Sequence, residues 1–196
     1  MKPYTSVKLT NDETTSELVR AILSEMKTLN CAGGFPLTYE KNRGVRKQFV
    51  FHDDRIGAVH QRRGRGCTIG RYKKRHGSYQ SKTGSTIQNK YKYIYTLLRK
   101  LYKKYHPNMP LPRAIRINCN IKAKKHIDSR NVGASTILGL GRYTNGTLIL
   151  HPSPQDDWKK VKININKNFV TFKSSQIMHS TDSFTGTRYS FVFFNN

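Results

Sequence analysis

The chain has 196 residues, enough to bury one sizeable core and, by length, to form a single domain over 1–196. No apolar run approaches the roughly 20 residues of a membrane span, and the opening MKPYTSVKLTNDETT lacks the apolar centre of a signal peptide, so the expectation is an intracellular protein with no membrane partner, nuclear if eukaryotic. Lys and Arg number 36 against 11 Asp and Glu, a formal net charge of +25 and a pI near 10.3, which is extreme for an ordinary metabolic enzyme.

From Thr14 the pattern Thr14-x-x-Glu17 fits a capping box, and Leu18, Ile22, Met26 and Leu29 follow on one helical face. The glycines of Cys31-Ala32-Gly33-Gly34, with Pro36 beyond, end that helix. Residues 46–52, RKQFVFH, read as a strand. Gly57 to Gly84 is glycine-punctuated and basic and reads as a loop-rich, anion-facing segment. Ser85-x-x-Gln88 opens a second helix whose stripe is Ile87, Tyr91, Ile94, Leu98, Leu101 and Tyr105, with Lys92, Arg99, Lys100, Lys103 and Lys104 off that stripe and His106-Pro107 as the stop. Its tyrosines are expected to pack rather than to stack on bases. After Pro112 the period changes to two at Ile115, Ile117, Cys119 and Ile121, and short strands are predicted at 134–140, 147–151, 161–166, 168–173 and 188–195, with a tight hairpin at Asn166-Lys167. A helical, basic part (1–112) followed by a strand-rich part (113–196) predicts an α+β chain: an antiparallel jelly roll with flanking N-terminal helices.

The charge is unevenly placed. Between Arg55 and Ile127 there are 20 Lys or Arg and no acid. A field of this sign attracts polyanions, so nucleic acid is the expected partner, and Arg62, Arg63, Arg65, Arg71, Lys73, Lys74 and Arg75 are the expected contacts. Identical basic surfaces repel, which favours a monomer. The three cysteines, Cys31, Cys67 and Cys119, are odd in number and widely spaced, which suits neither a disulfide framework nor a paired-cysteine zinc site.

His126-Ile127-Asp128 sets an imidazole and a carboxylate two residues apart, on one side of an extended backbone, where both can grip one metal. The spacing alone is unspecific, since His52-Asp53-Asp54 repeats it. Context separates the two. His126-x-Asp128 is followed by Asn131-Val132-Gly133, by Gly139-Leu140-Gly141-Arg142-Tyr143-Thr144-Asn145-Gly146, and later by His179 and Arg188-Tyr189-Ser190. Over residues 113–196 this order resembles the iron(II)/2-oxoglutarate dioxygenases, in detail the TET/JBP-like branch that oxidises the methyl group of a pyrimidine base. The likeness lies in IRINCNIKAKKHIDSRNVGAS, RYTNGTL and HSTDSFTGTRYSFVFF.

The resemblance implies a double-stranded β-helix, with His126, Asp128 and His179 holding Fe(II), and 2-oxoglutarate and O2 as cosubstrates. Arg188 would clamp the far carboxylate of 2-oxoglutarate through its planar fork, and Ser190, two residues along the same strand, would add a hydroxyl. No further catalytic side chain is implied. Asn131 stands where relatives carry a polar residue facing the substrate. The expected reaction is oxidation of 5-methylcytosine in DNA to 5-hydroxymethylcytosine or beyond, with base flipping required to reach the methyl group. Two departures stand out: Asn145-Gly146 replaces the Gly-Gly of many relatives, and the cysteine-rich region of animal TET enzymes is missing. A protein hydroxylase of the same superfamily and a non-catalytic nucleic-acid binder are the alternatives.

Overall fold

The computed structural model describes residues 2–31, 65–73, 79–81, 86–152 and 159–196. The first helix, α1 (Glu13–Cys31), begins two residues earlier than its capping box implied. Asp12 is the cap: its Oδ1 accepts from the Thr15 amide at 3.0 Å and its Oδ2 from the Thr15 hydroxyl at 2.8 Å. A carboxylate outcompetes the Thr14 hydroxyl because it satisfies the open amides and also complements the positive end of the helix. The Tyr105 hydroxyl meets the Thr10 amide and the Thr15 hydroxyl, both at 2.8 Å, tying the start of α1 to the end of α2 (Thr86–Tyr105). The strand expected at 46–52 and Ser85, the first residue of the second capping box, lie outside the described residues, and α2 runs from Thr86.

Among the described residues, ten strands follow or flank these helices: β1 (Tyr4–Lys8), β2 (Arg65–Lys73), β3 (Tyr79–Ser81), β4 (Ala114–Cys119), β5 (Val132–Asn145), β6 (Leu148–His151), β7 (Val161–Ile163), β8 (Asn168–Phe172), β9 (Met178–Thr181) and β10 (Phe184–Asn195). Seven form one sheet in the order β1-β8-β5-β10-β4-β2-β3, and three form a second, β7-β6-β9. Every pairing between them is antiparallel. Part of the segment read as loop, Gly57 to Gly84, is therefore strand. Gly66 and Gly70 are needed there because a Cβ would lie 2.2 Å from the Ile117 carbonyl oxygen or 2.3 Å from that of Arg113.

Alternation along the strands gives the large sheet two different faces. Ile115, Ile117, Leu138, Leu140, Phe191 and Phe193 are buried under α1 and α2, together with Ile22, Met26, Ile94 and Leu98. Tyr91 is buried in the same layer, so it packs as expected. On the other face Ile137, Val170 and Phe172 meet Leu148, Leu150 and Ile163 of the small sheet. Two antiparallel sheets thus face each other without closing into a barrel, and helices cover the outside of the larger one. This is a double-stranded β-helix with N-terminal helices. Asn145 (φ 60°) and Gly146 (φ 65°) turn the chain from one sheet to the other, and Asn reaches this left-handed conformation more readily than other side chains.

Candidate metal centre

β4 ends at Cys119, and the chain then runs as an irregular connector to β5. His126 on that connector forms a two-way backbone bridge with His179 on β9: each amide donates to the other's carbonyl, at 2.9 and 2.8 Å. The bridge places the imidazoles side by side, ring centroids 4.2 Å apart. Asp128 lies between them, Oδ1 3.8 Å from His126 Nε2 and Oδ2 3.6 Å from His179 Nε2. One ligand atom from each residue lies within 4.8 Å of the others.

The opposite ring nitrogens fix the tautomers. His126 Nδ1 lies 2.6 Å from the Lys124 carbonyl oxygen and His179 Nδ1 2.9 Å from that of Ile177. With each Nδ1–H donated to a carbonyl, both Nε2 lone pairs aim at the space beside Asp128, the arrangement that suits a metal-binding imidazole. Two imidazoles and one carboxylate on one side of a metal leave three coordination positions open, the donor set of non-haem iron(II).

Arg188 sits on β10 with 1 % of its surface exposed. Its neighbours Tyr189 and Phe191 point to the helices, so Arg188 and Ser190 face the space between the sheets. Asn120 brackets the Arg188 backbone: its amide donates to the Arg188 carbonyl and its Oδ1 accepts from the Arg188 amide, both at 2.8 Å. Nε donates to the Gly146 carbonyl at 3.1 Å, and the guanidinium lies 5.7 Å from the Tyr143 ring centroid and 5.5 Å from that of Phe184. Burial pulls Arg188 down from its ordinary pKa, with Tyr143 opposing the shift. No carboxylate of the described residues pairs with it.

Among the described residues, two buried polar atoms here make no hydrogen bond of good geometry, Arg188 Nη2 and the Tyr143 hydroxyl, although the two side chains lie close enough for each to act on the other's pKa. Leaving such donors unmet costs about 1–3 kcal/mol each, more for a charged group. A carboxylate entering between the sheets would meet both. Tyr143 was not singled out from sequence, although the period of two along β5 places Gly139, Gly141 and Tyr143 on the side that faces Arg188. Gly139 keeps this corner open, since a Cβ there would lie 2.4 Å from the Tyr143 hydroxyl. Ser190, paired with Gly139 in the sheet, accepts from Asn118 Nδ2 at 3.3 Å.

The remaining expected contacts are dispersed. Arg62, Arg63, Lys74 and Arg75 lie outside the described residues. Arg65, Arg71 and Lys73 fall on β2, opposite Cys119, Ser81 and Tyr79. Asn131 directs its amide towards Asp128, Ser135 and Ser174. The basic side of α2 belongs to the helical layer, across the large sheet from the triad, and Lys103 and Lys104 bond the Pro107 carbonyl and Asp12. On the triad's own connector Lys122, Lys124, Lys125 and Arg130 are exposed.

No family model and no curated protein matches the chain. Solved structures do. A prolyl hydroxylase from Trichoplax adhaerens, in complex with a peptide fragment of the hypoxia inducible factor oxygen degradation domain, superposes with a TM-score of 0.56 at 15 % identity, over 98 % of this chain and 83 % of that one. OsALKBH1 gives 0.57 at 14 % identity, over 99 % and 98 %. A Pseudomonas putida prolyl-4-hydroxylase gives 0.53 at 14 % identity, over 98 % and 91 %. At these identities the likeness establishes the double-stranded β-helix fold. Among the described residues no helix is long and apolar enough to cross a membrane.

Proposed function

We propose that this chain is an iron(II)/2-oxoglutarate-dependent dioxygenase that oxidises the methyl group of a pyrimidine base in DNA, with 5-methylcytosine the leading substrate. The observation that carries the reaction class is the conjunction of two sites: the His126–Asp128–His179 triad with both Nδ1 atoms held by carbonyls, and the buried Arg188 whose Nη2 lacks a partner among the described residues. His126, Asp128 and His179 would hold the iron. Arg188, Tyr143 and Ser190 would hold the distal carboxylate of 2-oxoglutarate; burial pushes the Tyr143 hydroxyl up, so it stays protonated and can donate. Iron(II) in such a site, with 2-oxoglutarate and O2, couples oxidative decarboxylation of the keto acid to hydroxylation of a substrate C–H bond. The chain's own contribution is to orient these partners and to neutralise the carboxylate with a fixed, buried cation.

The nucleic-acid substrate is supported by the net charge of +25 and by the four exposed cations that flank the triad on its connector. A second reading, hydroxylation of a protein, is favoured by the two prolyl hydroxylases among the fold neighbours, one of them bound to a peptide. Mass spectrometry of nucleosides from methylated DNA separates the two. Incubation with the protein, iron(II), 2-oxoglutarate and ascorbate should yield 5-hydroxymethylcytosine or a more oxidised base, and His126→Ala and Asp128→Ala should abolish it. Unchanged DNA beside a peptide that gains 16 Da, a single oxygen atom, would replace the first reading with the second.

A further inference from the structure

We propose that Asn131, backed by the hydroxyls of Ser135 and Ser174, is a positioning residue that fixes the Asp128 carboxylate; this rests on the metal-centre reading above. Three separate segments meet at the Asn131 amide, which lies beside that carboxylate: the connector (Asn131), the start of β5 (Ser135) and the turn between β8 and β9 (Ser174). Asn131 Nδ2 lies 3.0 Å from Ser135 Oγ, 3.1 Å from Ser174 Oγ and 3.5 Å from Asp128 Oδ2. The two serine hydroxyls are 2.7 Å apart and both residues are fully buried. The main chain adds two bonds, Asp128 N to the Ser174 carbonyl at 2.9 Å and Asn131 N to the Asp128 carbonyl at 2.8 Å.

Replacing both members of a buried hydroxyl pair by apolar groups of similar size is close to neutral for stability. Two serines filling space would therefore be dispensable. Their use is polar: they fix the Asn131 amide from behind, and the amide then leans on one edge of the carboxylate. Asp128 has two oxygens: Oδ2 lies on the Asn131 edge and 3.6 Å from His179 Nε2, and Oδ1 lies 3.8 Å from His126 Nε2. An amide beside Oδ2 disfavours rotation of the carboxylate and so holds the orientation in which each oxygen faces one imidazole.

The test is titration of the metal-free protein with cobalt(II), read by its visible absorption, for the native chain, Asp128→Ala, Asn131→Ala and the double variant Ser135→Ala/Ser174→Ala. Loss of groups behind a metal ligand weakens affinity about 10–100-fold, so both positioning variants should bind cobalt(II) that much more weakly and with an altered band shape. Thermal melts of the metal-free proteins serve as the folding control, and the half-buried Asn131→Ala should melt close to the native chain. A lower melting temperature with unchanged affinity and spectrum would make the network merely structural and overturn the proposal. Unchanged cobalt(II) binding with impaired substrate affinity would return Asn131 to the substrate side and overturn it as well. If the native chain and Asp128→Ala bind cobalt(II) alike, the metal-centre reading fails, and this inference with it.

Discussion

Tyr143→Phe gives the sharpest perturbation of the carboxylate pocket, because its effects on stability and on binding should have opposite signs. The Tyr143 hydroxyl is buried and, among the described residues, makes no hydrogen bond of good geometry. Removing it relieves a desolvation cost of about 1–3 kcal/mol in the ligand-free protein. For a domain of this length about 1 kcal/mol corresponds to a rise of about 2–4 °C in melting temperature. With 2-oxoglutarate bound, the same hydroxyl would donate to a carboxylate, a charge-assisted bond contributing about 1.5–3 kcal/mol. Its loss should raise the Kd for 2-oxoglutarate about 10- to 150-fold. Thermal melts without ligand, and calorimetric titration of 2-oxoglutarate with manganese(II) in place of iron to prevent turnover, read the two effects separately. A variant that is less stable and binds 2-oxoglutarate unchanged would refute the reasoning, since the hydroxyl would then have its partner within the chain.

Arg188→Lys keeps a positive charge but loses the planar fork and the Nε bond to Gly146. The KM for 2-oxoglutarate should rise about tenfold or more in steady-state assays, from loss of about 1.5 kcal/mol or more of charge-assisted bonding. His106 stacks on Tyr102 with ring centroids 4.5 Å apart, and burial lowers its pKa from the ordinary 6.5. A depressed histidine contributes full stability above about pH 6.5 and loses it as pH falls through the lowered folded value. Denaturant midpoints should therefore decline below that pH, and more shallowly in His106→Phe. For nucleic acid, the slope of log K against log salt should become shallower by about 0.9 for each phosphate contact removed when Arg71, Lys73, Lys74 and Arg75 are changed to alanine, measured by fluorescence anisotropy with duplex DNA.

Features carried by periodicity or by an ordered motif were legible in the sequence. The α2 stripe through Ile94, Leu98 and Leu101 is fully buried, and the alternation at Ile115, Ile117 and Cys119 is β4. Strands without that signature were missed. β1 has Thr5, Ser6, Val7 and Lys8 exposed at a sheet edge, and β9 is four residues long. β2 carries no such signature because, of its described side chains, only Cys67 and Ile69 reach the core, while Gly66 and Gly70 sit where close approach of the β4 backbone excludes a side chain. At the site, spacing could bring His126 and Asp128 together, but their approach to His179 depends on a bridge between segments 53 residues apart. Tyr143 lies within the RYTNGTL motif, but nothing in that motif gives its hydroxyl a role, and the Ser135–Ser174 pair carries no local motif. Their roles emerge only from what is buried and what lacks a partner, and neither property belongs to a residue until the chain is folded.

Formation of succinate from 2-oxoglutarate, followed together with base oxidation on methylated duplex DNA under iron(II) and air, tests the central claim most directly. The account predicts one succinate per hydroxylation in the coupled reaction, abolished by Asp128→Ala and by chelation of the metal. No succinate from the metal-loaded native protein, with methylated DNA, RNA or basic peptides as substrate, would contradict it.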